Sequence, residues 1–496
     1  MVLIVLAIYF AILFLIGIMA SKKVNSLEDF YVGGKNLGYW VVAFSARATG
    51  ESGWLLLGLT GMGALMGFKA FWVVIGETLG VALCWLLMAK PFKRLTDQYN
   101  SVTVTDFFAS HFKSKTHHIR FISSIVLVSF ITIYVSAQID ATGTAFESFL
   151  GINYYWGAII GFGIVIAYIF IGGFVAVAWS DFFQGLMMFL GLVALPIAAY
   201  FTLQSGTNIS LTEQMANIDP KLLSFWGSTD STLMNIMIII SFLTIGLGFL
   251  GSPQVFVRFI SVRNQSEINK GTWVAIGFTL LTNIAAVFAG ICGRLLLTTP
   301  TSNPESILGN GAQNVLPLLV ETIFPPLVIG LYIAAVLSAI MSTVDSLLVV
   351  ASSAITRDIY QQSINPKATP DRLAYLSKHI TLILAIIALV LSLSIAMLSP
   401  TRTVFWFIIF GWSGIAACFC PSMILSLTWK GFNEKGAVAC MITGFISMVY
   451  FKFFGISLPV IGPYIEALSP LPPSFIIAII VGITASKKYQ NSPNFL

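Results

Sequence analysis

Apolar runs long enough to cross a lipid bilayer recur from one end of this chain to the other, and that repetition limits the fold more tightly than any motif. A helix rises about 1.5 Å per residue, so about 20 consecutive apolar residues are needed for each crossing. Thirteen candidate spans fall near 2–21, 39–64, 71–91, 121–147, 156–175, 182–203, 232–257, 271–296, 321–351, 379–398, 403–428, 437–457 and 470–486. Composition agrees, since 57% of the 496 residues are apolar and only 9% are charged. The expected fold class is an all-α polytopic membrane protein with about 13 transmembrane helices.

The first run is followed by Lys22 and Lys23 and preceded by no basic segment, which reads as a spanning helix with its N-terminus outside rather than a secretory signal. Thirteen crossings then place the C-terminus in the cytoplasm. The basic residues test this: the inside segments hold 20 of the 26 Lys and Arg, the outside segments five, and Arg47 lies within a span. The net charge of +6 is largely this inside bias, so no nucleic-acid partner is inferred. The expected location is the cell (inner) membrane, with the lipid bilayer as the surrounding partner.

The cysteines Cys84, Cys292, Cys418, Cys420 and Cys440 all fall in predicted spans without metal-ligand spacing to histidine, and they read as packing residues. His111, His117 and His118 lie in an inside loop and His379 at a helix start, so no nucleophile, base or metal set presents itself and no enzyme is expected. No cofactor is called for. Glycosylation patterns at Asn208 and Asn264 fall on opposite sides of the membrane and carry no weight. No connection is long enough for a soluble catalytic domain. The chemistry is expected inside the bundle.

Bilayer interiors tolerate broken helices where the freed backbone faces protein or a cavity, and many transporters place such breaks at equivalent positions of two inverted repeats. One candidate is "ATGESGW" in the second span, and another is "GLGFLGSPQ", residues 246–254, in the seventh. The two spans stand five apart. Spans 2–6 and 7–11 then form two five-helix halves, inverted because each holds an odd number of crossings. The corresponding divisions are 1–38 for an N-terminal helix and inside loop, 39–203 and 204–428 for the repeats, and 429–496 for two C-terminal helices and a short tail.

The ninth span adds "SAIMSTVDS", residues 338–346. Ala339, Ser342, Thr343 and Ser346 share one helix face, with Asp345 beside it. Hydroxyls in a span can bond back to their own helix or to neighbours, which accounts for the serines. An ionised Asp in hydrocarbon costs at least about 2.5 kcal/mol and calls for a partner or a function. Hard cations prefer carboxylate, hydroxyl and carbonyl oxygens, and an unwound segment facing this stripe would supply all three. A sodium site is the expectation.

At these residues the chain resembles the sodium:solute symporter family, and within it the sodium/proline symporters. The resemblance runs over nearly the whole chain through "EDFYVGGKNLG", "SGWLLLGLTG", "GGFVAVAWSDFFQG", "VRFISV" and "AIMSTVDSLLVVASSAITRDIY". It implies a leucine-transporter-type 5+5 inverted-repeat core with an extra N-terminal helix, alternating access, and inward sodium flow driving solute uptake. The principal sodium site it implies uses carbonyls of Ala48, Glu51 and Ala339 and hydroxyls of Ser342 and Thr343. A second site, present in some members, would fall on Asp181, Ser342, Asp345 and Ser346, although Asp181 also reads as a helix N-cap at the membrane edge. The implied substrate cavity is lined by Ser52, Gly53, Trp54, Glu77, Tyr134, Gln138, Phe249, Ser252 and Pro253.

The chain departs from the proline-carrier pattern in two places. The acidic residue expected before the methionine of "SDMSGW" is Gly50 here, and Glu51 takes the methionine's place, a step that rotates a helical side chain by about 100°. At the second break an aromatic pair is replaced by Ile245 and Phe249. The chain also buries Arg47, Glu51, Glu77 and Asp140. These read either as a self-neutralising charge network or as substrate contacts, with Arg47 on a carboxylate and Glu77 or Asp140 on an amine. Sodium symport of proline is the leading expectation. The alternatives are another amino acid, a betaine-like or carboxylate solute, proton coupling through Glu51, and a transporter-like sensor acting through a separate partner.

Overall fold

The computed structural model describes residues 1–22, 31–206, 209–227, 229 and 231–490, and for residues 21, 168–173, 489 and 490 the backbone alone. Residues 28–30 of the "EDFYVGG" motif and the Asn208 pattern lie outside the described residues. Within them the chain is helical and forms no strand, only an isolated bridge between Leu37 and Val262. Among the described residues, eleven helices are long and apolar enough to cross a membrane. The expected count of thirteen is not confirmed; one further apolar helix, Tyr154–Ala167, is shorter.

The first helix, α1 (Val2–Ser21), packs on the outside of the bundle. Next come α2 (Tyr39–Gly50), then a π-type turn over Trp54–Leu59 leading into α3 (Thr60–Met66), and α4 (Phe71–Leu83). The chain continues through α5 (Ala89–Gln98), α6 (Val104–His111) and α7 (His118–Leu150). The next helical stretch, α8 (Tyr154–Ser205), covers a length where the sequence predicts two spans. Its contacts require two crossings. The Tyr154 hydroxyl reaches Asp140 at 2.6 Å and Gly191 lies against Tyr332, both toward the face where α1 begins. Val175 and Ala176 pack with Ala20 at the opposite face. A straight 52-residue helix would be about 78 Å long and could not make all three contacts.

The second half begins with α9 (Leu211–Ile218) and α10 (Thr232–Thr244), then a 3-10 segment over Ile245–Leu250, then α11 (Pro253–Ser261) and α12 (Gln265–Leu297). Short helices α13 (Pro304–Leu308) and α14 (Val315–Ile323) precede α15 (Pro326–Ser353), which therefore starts later than the predicted span at 321. The remainder is α16 (Pro370–Leu398), α17 (Val404–Thr428), α18 (Glu434–Phe453), α19 (Gly462–Leu468) and α20 (Leu471–Gln490). Burial sorts these into centre and rim: the most apolar stretch of α17 is 89% buried and that of α15 78%, against 22% for α1 and 33% for α18. The rim exposes Leu3, Leu86, Leu87, Phe201 and Ile386, a surface that only lipid would solvate cheaply. All five cysteines are free and buried in the bundle.

Both predicted breaks are present. The last helical bond of α2 runs from the Glu51 N–H to the Arg47 carbonyl at 2.7 Å, and Glu51 then turns to φ −93°, ψ 85°. At the second break Ser252 is extended and Pro253 opens α11, where its missing N–H costs no hydrogen bond. The freed backbone is enclosed by protein, with Glu51, Ser52 and Ser252 all buried. The second break also needs room: a Cβ on Gly80 of α4 would lie 2.7 Å from the Gly246 Cα. Gly80→Leu is expected to push this contact apart at a cost of at least about 1–3 kcal/mol. The check is a lower thermal midpoint of the purified protein in detergent; an unchanged midpoint would show that the two backbones are free to separate.

Candidate ion and solute site

The stripe on α15 faces the first break. Ser342 Oγ donates to the carbonyls of Ala48 at 3.0 Å and Ala339 at 3.2 Å. Thr343 Oγ1 donates to the carbonyls of Thr49 and Ala339, both at 3.1 Å. Four of the five residues expected at the principal sodium site are thus gathered in one buried cluster, at the point where α2 is about to lose its helical bonds. The Thr49 carbonyl joins them and the Glu51 carbonyl makes no such contact with the stripe. Two hydroxyls and three carbonyls form an all-oxygen, uncharged set suited to a hard monovalent cation.

Next to this cluster the buried charges divide into two groups. Arg47 Nη2 lies 2.5 Å from Glu51 Oε1 and 2.6 Å from Glu77 Oε1, with all three side chains buried. The i,i+4 pairing of Arg47 with Glu51 survives because the helix unwinds only after Gly50. Asn283 of α12 donates to the second Glu77 oxygen at 2.6 Å, and the Arg47 guanidinium lies 4.6 Å from the centre of the Phe249 ring. Asp140 does not belong to this group. It accepts from Arg402, in the loop after α16, and from the Tyr154 hydroxyl. The single network read from the sequence is therefore two, tied by contacts 262 residues apart in one case and 30 in the other.

Of the predicted cavity residues, Glu77 and Phe249 touch Arg47 directly. Gln138 donates through Nε2 to Ser52 Oγ at 3.1 Å, and its Oε1 accepts the Gly53 N–H at 3.3 Å. The Trp54 indole donates to the Gly50 carbonyl at 3.0 Å, and Tyr134 and Phe249 both approach Trp412. Pro253 lines a cleft with Tyr31, Thr103, Leu127, Val349 and Asp358 on the side where α15 ends. The departure at position 50 has a steric reason, because a Cβ there would stand 2.9 Å from the Phe249 ring. Glycine at 50 and phenylalanine at 249 are thus matched to each other.

Asp181 is not a helix cap. It lies inside α8, fully buried, and accepts from Ser45 at 2.7 Å and from Arg258 at 3.0 Å. Sequence reasoning missed Arg258, Thr49, Asn283 and Trp412. Asn283 was readable as a lone amide in an apolar run, and Trp412 as a large ring between glycines in "FGWSG". Several buried polar atoms in and beside the breaks have no hydrogen-bond partner among the described residues: Arg47 Nε, Glu51 Oε2, Ser252 Oγ, Asn283 Oδ1 and both side-chain ends of Gln254. Such atoms are costly in isolation and mark where a polar guest or water would be received.

The sequence pattern of the sodium:solute symporter family matches residues 30–444. The chain belongs to that family. It is 34% identical over 450 residues to the high-affinity proline transporter PutP of Bacillus subtilis, covering 89% of this chain and 90% of that one. The osmoregulated proline transporter OpuE of the same organism is 31% identical over 486 residues, with 98% and 94% covered. Among solved structures, a Na+-coupled sialic acid symporter in a substrate-bound outward-open state superposes with a TM-score of 0.77 at 20% identity, over 98% of each chain. The leucine-transporter-type fold implied by the resemblance is therefore the fold of this chain, and the chain is a transporter by family rather than an enzyme.

Proposed function

We propose that the chain imports proline, or a zwitterionic solute of closely similar size, by sodium symport through alternating access. The observation that carries the sodium half is the cluster of Ser342 and Thr343 hydroxyls on the Ala48, Thr49 and Ala339 carbonyls, which one sodium would enter by replacing hydroxyl donation with coordination. Support for proline comes from the relatives named as proline transporters. Buried atoms without a hydrogen-bond partner in and beside the breaks have both signs a zwitterion needs. Glu51 Oε2 and Asn283 Oδ1 are acceptors for an ammonium, and Arg47 Nε and Gln254 Nε2 are donors for a carboxylate. On this reading α2–α8 and α10–α17 are the inverted repeats, near 39–203 and 204–428. The N-terminus faces outside and the C-terminus the cytoplasm.

A second reading is favoured by one observation: two carboxylates, Glu51 and Glu77, share the single Arg47 guanidinium. That trio carries one uncompensated negative charge unless a proton or cation joins it, so Glu51 could serve proton coupling. The two readings separate in proteoliposomes. Uptake of labelled proline is expected to rise when an inward sodium gradient is imposed and to stay at background in sodium-free buffer with an inward pH gradient. Uptake driven by the pH gradient alone and abolished by Glu51→Gln would replace sodium coupling with proton coupling. Sodium-driven uptake of a competitor but not proline would keep the ion site and remove proline as the cargo.

A further inference from the structure

One face of α18 carries Lys435, Val438, Ile442, Phe445 and Ile446, a spacing of three and four residues that sets a cation at the head of an apolar stripe. On α7 the same pattern runs from His118 to Ile122 and Ile125, and α20 inverts it, with Val481 and Ala485 leading to Lys488. The polar ends of the three stripes meet. Asn433, the cap of α18, donates through Nδ2 to the Ser486 carbonyl at 3.1 Å, and a Cβ on Gly436 would strike Ser486 Oγ. The start of α18 and the end of α20 are therefore locked side by side.

Between these helices lies an open groove of about 730 Å³, lined at its polar end by Thr116, His118, Lys435 and Lys488. The one carboxylate among its described lining residues, Glu434, accepts from Ser114 at 2.7 Å and from Thr116 at 3.1 Å, which ties the loop before α7 to the start of α18. At Ile442 the groove meets a second crevice of about 170 Å³, walled only by apolar side chains, among them Ile122, Ile125, Phe445 and Ile446. The stretch of α18 from Lys435 to Ile446 rises about 16 Å, close to the depth of one leaflet in a hydrocarbon core about 30 Å thick.

We propose that groove and crevice form one site for an anionic phospholipid, its phosphate held between Lys435 and Lys488 and an acyl chain laid past Ile442 into the crevice. Charge complementarity selects the headgroup: phosphatidylglycerol brings only its phosphate to the two lysines, whereas phosphatidylcholine brings a cation of its own. Each basic residue beside a membrane surface favours an anionic lipid by about fivefold. Both α7 and α18 begin at this end, so the positive poles of two helices add to the same preference. The crevice distinguishes a lipid from a soluble phosphate, because every methylene it covers adds affinity that a bare headgroup lacks. The site does not depend on which ion or solute the chain carries.

The test uses the whole chain, stripped of lipid in detergent and titrated with phosphatidylglycerol or phosphatidylcholine of the same acyl chains, with bound lipid counted by native mass spectrometry. Wild type is expected to hold one phosphatidylglycerol roughly 10- to 30-fold more tightly than phosphatidylcholine, a preference that shrinks at high salt. Lys435 and Lys488 are exposed, and replacing both by Gln is expected to bring the two lipids within about twofold of each other without disturbing the fold. Ile442→Trp, which narrows the passage between groove and crevice, is expected to weaken phosphatidylglycerol retention with both lysines in place. Equal retention of the two lipids by wild type, or an undiminished preference in the double lysine variant, would overturn the proposal. Displacement of the lipid by an equal concentration of glycerol 3-phosphate, or full retention in Ile442→Trp, would remove the acyl track and leave a soluble-phosphate site. Lipid-free wild-type dimers that come apart in the lysine variant would instead make the groove an interface between copies of the chain.

Discussion

Thr343→Ala is expected to raise the sodium concentration for half-maximal uptake roughly 5- to 150-fold, while uptake at saturating sodium falls much less. The hydroxyl that now meets the carbonyls of Thr49 and Ala339 would be lost from an enclosed site, leaving the Thr49 carbonyl without this donor, the Ala339 carbonyl with Ser342 alone from the stripe, and a sodium ion without one ligand. Leaving a buried polar group unsatisfied costs about 1–3 kcal/mol, which corresponds to the quoted range in an equilibrium constant. Thr343→Ser keeps the oxygen and is expected to stay within about threefold of wild type, since only a methyl group is removed from the packing. A sodium titration of uptake at fixed solute reads both variants. If alanine and serine behaved alike, packing rather than coordination would be the role of residue 343.

The second large effect concerns the trio beneath the first break. Arg47→Met removes the common partner of Glu51 and Glu77, both fully buried, and stripping one partner from a buried pair costs about 3–5 kcal/mol. The variant is expected to accumulate poorly or to melt well below wild type. Adding Glu51→Gln and Glu77→Gln removes the stranded charges and is expected to restore folded protein, because neutral amides cost far less to bury. Solute uptake is not expected to return, since the recovered bundle would lack the polar ends proposed to hold a zwitterion. An Arg47→Met protein with a wild-type melting profile would mean that the two carboxylates are neutralised some other way.

How much of this was legible in the sequence depends on how local the signal is. The breaks announce themselves because glycine, serine and proline cannot continue an apolar helix unnoticed, and their five-span separation follows from counting. The Ser342 and Thr343 stripe is legible because neighbours at three and four residues share a helix face, and the Arg47–Glu51 pair for the same reason. Arg258 is the counterexample. Its position near the end of a span groups it with the basic residues of the inside surface, and nothing local says that α11 carries it inward to Asp181, 77 residues earlier. Asp140 fails likewise, because its partner Arg402 lies 262 residues away in a loop. For Asp181, placed by the resemblance in a second sodium site, the polar "AWSD" before an apolar run offers a cap as the alternative, whereas the helix continues through it. Sequence periodicity reports which face a residue occupies, and only the packing of distant helices decides what that face meets.

The five buried cysteines have a practical consequence. Free thiols enclosed among apolar neighbours present little to a membrane-impermeant maleimide, so the native chain is already a quiet background for site-directed labelling. A single cysteine introduced at Val349, on the cleft that Pro253 shares with Tyr31 and Thr103, would then report by its labelling rate when that passage admits water. Sodium and solute could each be scored on the same reporter, turning a structural accident of packing into a clock for the gate.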